Sequence, residues 1–238
     1  MGNVWAIGKR EFGSFFNSPI AYIAITVYLA IAGALFFFVD GFFDDGQASM
    51  RQFFEQGPFL FVFLLPAISM RLVSEEKRTG SIELLVTLPI RDVELILGKL
   101  LGAFLFLVVT VLLTLVYPIV ISTLGPLDWG AVKGGYLGLL LVGLAYLGIG
   151  LMTSCWTKNQ IVAFILAVLI CGLFYGVDSL VSLVSEGLRD TFAIMSFKAH
   201  FTNVAKGILD TRDVLFYLSV TAFTVTVGTF SLESRRWL

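Results

Sequence analysis

Charge is what this sequence has least of. Of its 238 residues only 14% are Asp, Glu, Lys or Arg, where a water-soluble domain carries about a quarter. The 17 acids and 16 bases leave a formal net charge of −1, which points to neither nucleic acid nor any strongly charged partner. Histidine occurs once, at position 200, and cysteine twice, at 155 and 171. With no CxxC spacing and no paired histidines, a disulfide framework or a metal site is excluded, and both cysteines read as packing residues. The P-loop pattern GxxxxGK[ST] is absent, so nucleotide phosphates have no Gly-rich cradle here. HExxH and GxSxG are absent too, which removes the metalloprotease and serine-hydrolase readings. The chain is expected to bind no cofactor or metal and to carry out no catalysis itself.

What fills the sequence instead is apolar. Hydrophobic residues make up 58%, with 23 Phe and 23 Gly, and the mean hydropathy is +0.92. Phenylalanine faces lipid cheaply and glycine lets membrane helices approach closely, so the solvent for which this chain is built is a bilayer. A span needs about 20 apolar residues. Six stretches qualify: 20–39, 53–70, 100–123, 134–153, 161–177 and 214–232. Runs so long and uniform are helices rather than barrel strands, because an unpaired backbone cannot sit in lipid. Pro58 and Pro66 leave the ends of the second span open. The first span is too long for a signal-peptide core, and Ala6 stands where a myristoylation signal needs Ser or Thr, so neither cleavage nor acylation is expected.

Lys and Arg set the expected orientation. With the N-terminus inside, Lys9, Arg10, Arg71, Lys77, Arg78, Arg91, Lys99, Lys158, Arg235 and Arg236 are cytoplasmic. Arg51, Lys133, Arg189, Lys198, Lys206 and Arg212 are left outside. The balance favours both ends in the cytoplasm.

Three segments between the spans have a pattern of their own. Residues 1–18 place Val4, Trp5, Phe12, Phe15 and Phe16 on one helical face with Arg10, Ser14 and Asn17 opposite, as in an interfacial elbow helix ahead of Pro19. The stretch 71–99 is far longer than a reversal requires. It reads as a helix, a break at Thr79-Gly80, a short amphipathic helix bearing Ile82, Leu85 and Val86, a second break at Leu88-Pro89, and a new helix with Asp92 and Glu94 in its first turn. Its charges nearly balance, with Glu75, Glu76 and Glu83 against Lys77 and Arg78, so marking topology alone does not explain them, and the pattern reads either as a docking surface or as solvated span ends. The outer segment 178–213 repeats Phe197, Phe201, Val204 and Ile208 at helical spacing, which predicts an amphipathic helix against the outer leaflet or dipping into it. Asp210 or Thr211 is expected to cap the last span, with Asp213 in its first turn. His200, with no second ligand nearby, reads as surface polarity.

The apolar cores of the spans contain no Asp, Glu, Lys, Arg or His. Ion-coupled carriers place such a residue at mid-membrane, so a secondary transporter is disfavoured and the energy for any driven work comes from another subunit.

The run "SEEKRTGSIELLVTLPIRDVELILGK", residues 74–99, resembles the first cytoplasmic loop of ABC-2-type transporter permeases. The run "HFTNVAKGILDTRDVLFYLS", residues 200–219, resembles the outer segment and last span of the permease group that includes the gliding-motility and nitrous-oxide-reductase-maturation permeases. The resemblance covers the whole of 1–238 as one transmembrane domain. It implies an all-α integral membrane permease subunit of a bacterial plasma membrane. Two such chains, identical or paralogous, would pair with two copies of a separate ATPase subunit that binds ATP and Mg. It further implies that Glu75, Glu76, Lys77, Arg78, Thr79, Gly80, Ser81 and Glu83 belong to a coupling element seated on that ATPase, with Lys158 in a second contact. Export is the implied activity. The alternative is mechanotransmission, in which ATP-driven motion passes through the membrane to a periplasmic accessory or motility partner and no substrate moves.

Overall fold

The computed structural model describes residues 2–39, 49–81, 90–181, 195–207 and 210–234. Among them the chain is helical, and six helices are long and apolar enough to cross a membrane. In chain order, α1 is Gly2–Phe16, α2 Pro19–Ala34, α3 Arg51–Ser69, α4 Arg71–Thr79 and α5 Asp92–Leu113. They are followed by α6 Val116–Leu124, α7 Trp129–Trp156, α8 Gln160–Val181, α9 Phe197–Ala205 and α10 Thr211–Glu233.

The helix starts follow from their capping residues. Ser18 accepts the amide of Ile20 ahead of Pro19, whose missing N–H costs nothing in the first turn. The Asp128 carboxylate accepts from Gly130 and Ala131 at the head of α7. Asp210, rather than Thr211, caps α10 by accepting from Arg212. Gly80, at φ 76°, ends α4 in the left-handed conformation, at the expected Thr79-Gly80 break. The expected short helix bearing Ile82, Glu83, Leu85 and Val86, and the break at Leu88-Pro89, lie outside the described residues.

Several spans differ in detail from the sequence-based expectation. The first passes from α-helix into a π-turn over Leu35–Val39. The second begins at Arg51 and carries Pro58 and Pro66 within the helix. The third is broken in two after Leu113, because Pro118 has no amide to donate to the Thr114 carbonyl one turn back. The Tyr136 hydroxyl, 3.0 Å away, donates to that carbonyl, as does the amide of Tyr117 at 2.9 Å.

Helix α7 is the axis of the bundle, packed against α3, α5, α8, α9 and α10. Glycines on several of its faces make this possible: a side chain at Gly135 would collide with the Phe54 ring, at Gly143 with Leu107, and at Gly148 with Thr224. Small residues of this kind are how helices pack in lipid, where no hydrophobic force drives them together.

Two outlying helices are placed by their packing. In α1 the buried face is Ile7, Gly8 and Phe15, while Trp5 is 59% exposed. The partner is α5, whose Gly98 and Gly102 make room for backbone rather than for a bulky ring, so Gly8 enters the contact and Trp5 stands at its rim. Of the two placements expected for α9, against the outer leaflet or dipping in, its packing fits the second. Phe197 is stacked between Tyr146 and Phe174, with centroids 5.2 and 5.0 Å away, and the Tyr217 hydroxyl donates to its carbonyl at 2.7 Å. Tyr146 lies about 25 Å along α7 from the Trp129 end at 1.5 Å per residue. From that depth α9 climbs back to the head of α7, where Gly207 meets Gly130. His200 accordingly is not surface polarity. It faces the buried Asp213 at 2.5 Å and stacks on Phe216 at 4.1 Å, because the inserted helix turns it toward the first turn of α10.

A Cβ on Gly102 would lie 2.6 Å from the Glu11 Cβ and 2.9 Å from the Gly8 carbonyl oxygen. Gly102→Val is therefore expected to prise α1 from α5 and to cost about 1–3 kcal/mol, read as a lower denaturation midpoint in detergent. An equal substitution at Gly13, which has nothing within 4 Å, serves as the control for the side chain's intrinsic effect on a helix.

Candidate functional site

The polar side chains with the densest connections meet at one end of the bundle, around α4. This helix continues the second span past Met70 and carries the charged run that the sequence singles out. Its start is held by Ser154 in the last turn of α7. The Ser154 hydroxyl accepts from the amides of Val73 and Ser74, at 3.1 and 2.9 Å, and donates to the Met70 carbonyl at 2.8 Å. Gly150, one turn earlier on α7, leaves the space that Ser69 fills. Further along α4, Lys77 is 4% exposed and donates from Nζ to the Cys155 carbonyl. Ser231 of α10 donates to that same carbonyl at 3.2 Å. A lysine ammonium on the last carbonyls of a helix both satisfies them and complements the negative end of its dipole.

The other flank of α4 meets α1 and α5 through a buried cation. Lys99 is 1% exposed, and its Nζ lies 2.7 Å from Glu76 Oε1 and 3.2 Å from Glu11 Oε1. Arg10 pairs with Glu11 at 2.9 Å and approaches Glu76 at 3.7 Å. One helix from each of three parts of the chain thus contributes to a single network: the N-terminal segment, the charged loop and the third span. Glu76 Oε2 is buried without a hydrogen bond, so the network is not fully satisfied. Burial tends to raise the Glu11 carboxyl, but the charge of Lys99 and the hydrogen bonds from Arg10 and Lys99 outweigh it and hold its pKa below the ordinary 4.5. A depressed carboxyl stabilises the fold above the ordinary carboxylate range, and that contribution is lost as the pH falls through the folded-state value.

Beside this network a cleft of about 890 Å³ opens between α1, α4 and α5, with Arg10, Ser14, Arg71, Glu75, Ser81 and Lys99 in its wall. The residues expected to contact a partner divide accordingly. Glu76 and Lys77 point inward and tie α4 to its neighbours. Glu75 and Ser81 are half-buried, while Arg78, Thr79 and Gly80 are exposed. Thr79 donates to the Glu75 carbonyl at 3.0 Å and lies 2.9 Å from the Ser81 hydroxyl, which stiffens the turn. Lys158 is exposed in the turn between α7 and α8, three residues beyond the carbonyl that Lys77 grips. Glu83 lies outside the described residues.

Sequence reasoning missed Glu11, Lys99, Ser154 and Cys155. Glu11 carried a signal: it stands an α-helical turn from both Ile7 and Phe15 on the apolar face of α1. Lys99 reads as an ordinary topology marker at a span end, and Ser154 as part of a plain turn. Both cysteines are free and buried. No group of three or more His, Cys, Asp or Glu that could hold a metal occurs among the described residues.

Six apolar spans and a charged element braced at one end define a multi-pass membrane protein. The family described as ABC-2 family transporter protein matches residues 57–209, and the chain belongs to that family. Its members are the membrane-spanning permease components of ABC transporters, which generally carry no catalytic site and work with an ABC ATPase. No curated protein sequence matches the chain.

Replacing Lys99 by Gln strands two largely buried carboxylates, so a loss of about 3–5 kcal/mol is expected. Arg10 is 55% exposed in its side chain, and Arg10→Gln is expected to cost only about 0–1 kcal/mol. Unfolding titrations of the two variants in detergent measure the difference. In the parent chain the same titration loses stability below about pH 4.5, and Glu11→Gln flattens that fall.

Proposed function

We propose that this chain is the permease of an ATP-driven exporter in a bacterial plasma membrane, working as two copies with two ATPase subunits that bind ATP and Mg. A partner permease of the paralogous kind serves the same geometry as an identical one. Six crossings put both ends of the chain on one side, and the Lys and Arg balance supports that side being the cytoplasmic, ATPase side. The observation that carries this reading is the bracing of α4: it continues a span and is tied at once to α1, α5 and α7. A push on such an element moves spans rather than bending a loop.

The partner-facing part is the exposed turn Arg78-Thr79-Gly80-Ser81, with Glu75, the following segment that includes Glu83, and Lys158 beside it. Glu76 and Lys77 serve the same coupling from the inner side, by passing the displacement of α4 to Lys99 and to the end of α7. Charged side chains on a short stiff helix make register-specific pairs with a partner. The likeness of 200–219 to the gliding-motility and nitrous-oxide-reductase-maturation permeases supports placement in that group, and the likeness of 74–99 supports the wider ABC-2 class.

Mechanotransmission to a periplasmic accessory is the second reading, favoured by one observation: α9 is inserted deep among α7, α8 and α10, where it can act as a handle on the bundle.

Purification of the tagged chain from native membranes in mild detergent is expected to recover a P-loop ATPase in a two-to-two complex. Arg78→Glu is expected to weaken that recovery, and Gly80→Val to preserve assembly but uncouple ATP turnover, because valine is strained at a positive φ. Recovery of the chain without any ATPase, under conditions that preserve a known ABC complex, would refute the reading.

A further inference from the structure

Between α3 and α4 the chain is helical on both sides of Met70, and Ser154 of α7 occupies the junction. In an uninterrupted helix the amide of Val73 would donate to the Ser69 carbonyl and that of Ser74 to the Met70 carbonyl. Here both amides donate to the Ser154 hydroxyl, and that hydroxyl donates onward to the Met70 carbonyl, which also accepts from the Ser74 hydroxyl. A single oxygen with two acceptor sites and one proton satisfies all three groups. A side chain inserted into the i to i−4 ladder is an identifiable cause of a helix kink. Ser154 is fully buried, so water cannot substitute for it, and Gly150 one turn away brings α7 close enough for the hydroxyl to reach.

We propose that Ser154 is a positioning residue for coupling: its hydroxyl, wedged into the α3–α4 junction, sets the direction in which α4 leaves the bundle and presents the Arg78 to Ser81 turn. The inference rests on the reading of α4 as the ATPase-facing element. Two different kinds of tie follow. At Ser154 and Cys155 α4 is joined to α7 by hydrogen bonds to satisfied, buried partners. At Lys99 it is joined to α1 and α5 by an ion pair that leaves Glu76 Oε2 unsatisfied. A force on the Gly80 turn is then carried to α7 through the Ser154 and Cys155 hydrogen bonds and to α1 and α5 through Lys99, changing the cleft next to α1.

Without the hydroxyl, the Val73 and Ser74 amides can pair with the Ser69 and Met70 carbonyls, so Ser154→Ala is expected to change the angle at the junction without unfolding it. Helix α4 is about 13 Å long at 1.5 Å per residue, and a change of about 20° at Met70 swings its far end by about 5 Å. Nitroxides at Arg78→Cys and Lys158→Cys on the full chain in lipid nanodiscs read that movement, the native cysteines being buried. Ser154→Ala is expected to shift the inter-label distance by several ångströms. In the co-purified complex without labels, it is expected to lower permease-dependent ATP turnover several-fold at unchanged ATPase recovery. Ser154→Cys, equal in size but a poor acceptor, is expected to behave like Ser154→Ala.

An unchanged distance in Ser154→Ala would overturn the proposal. So would a shifted distance with undiminished coupling, or a Ser154→Cys variant indistinguishable from the parent, which would assign the angle to packing. Failure of the parent chain to recover any ATPase would instead refute the permease reading, and the label distance would still decide whether Ser154 sets the junction.

Discussion

In a hydrocarbon solvent a backbone group has no water to fall back on, so every break in a helix must be closed from inside the protein. The architecture follows from how this chain meets that constraint. Pro118 breaks the third span, and Tyr136 closes the gap by donating to Thr114. Tyr117 reaches across to the Leu29 carbonyl at 2.9 Å. Tyr217 does the same for Phe197, the first residue of the inserted helix. Ser154 serves the Met70 junction, and Lys77 with Ser231 serve the end of α7. Each of these side chains comes from a different helix than the group it satisfies. These bonds are therefore also cross-links of the bundle, and those at Thr114, at Met70 and at the end of α7 depend on α7, whose glycines let neighbours come near.

The Lys99 network obeys the same logic with charge instead of hydrogen bonds. A lysine ammonium that is 1% exposed is tolerable only with carboxylates in contact, and Glu11 and Glu76 supply them from two other elements. The cost of breaking such a group is much greater than its net contribution when intact. It acts more as a registry device than as a source of stability, holding α1, α4 and α5 in one arrangement. One carboxylate oxygen, Glu76 Oε2, is left without a hydrogen bond, whereas the tie of α4 to α7 at Ser154 has each of its groups paired.

Much of this was legible in one dimension. Six spans, the break at Gly80, the capping of the last span near Asp210 and the burial of the two cysteines all rest on local rules: apolar length, a glycine after a helix, an Asp before one, apolar neighbours. The face of α1 was only partly legible, because apolarity put Trp5 on it while α5 offered glycines and selected Gly8. The outer helix was found by its period, but its depth was not. Phe197 and Phe201 look the same in a sequence whether they rest on a leaflet or stack between Tyr146 and Phe174.

By itself the sequence determined the solvent, the number of crossings and the places where helices start and stop, because these depend on residues within a turn or two of one another. Tertiary structure alone decided which charges stay exposed and which are consumed internally. Glu75 and Glu76 are neighbours with the same chemistry and both border the cleft, yet only Glu76 is bound to Lys99, 23 residues away. Lys77 and Arg78 divide in the same way, one gripping Cys155 and the other exposed. A helix turns by 100° per residue, so which of two adjacent side chains lies inward is set by where the next helix packs, and that helix is encoded tens of residues away.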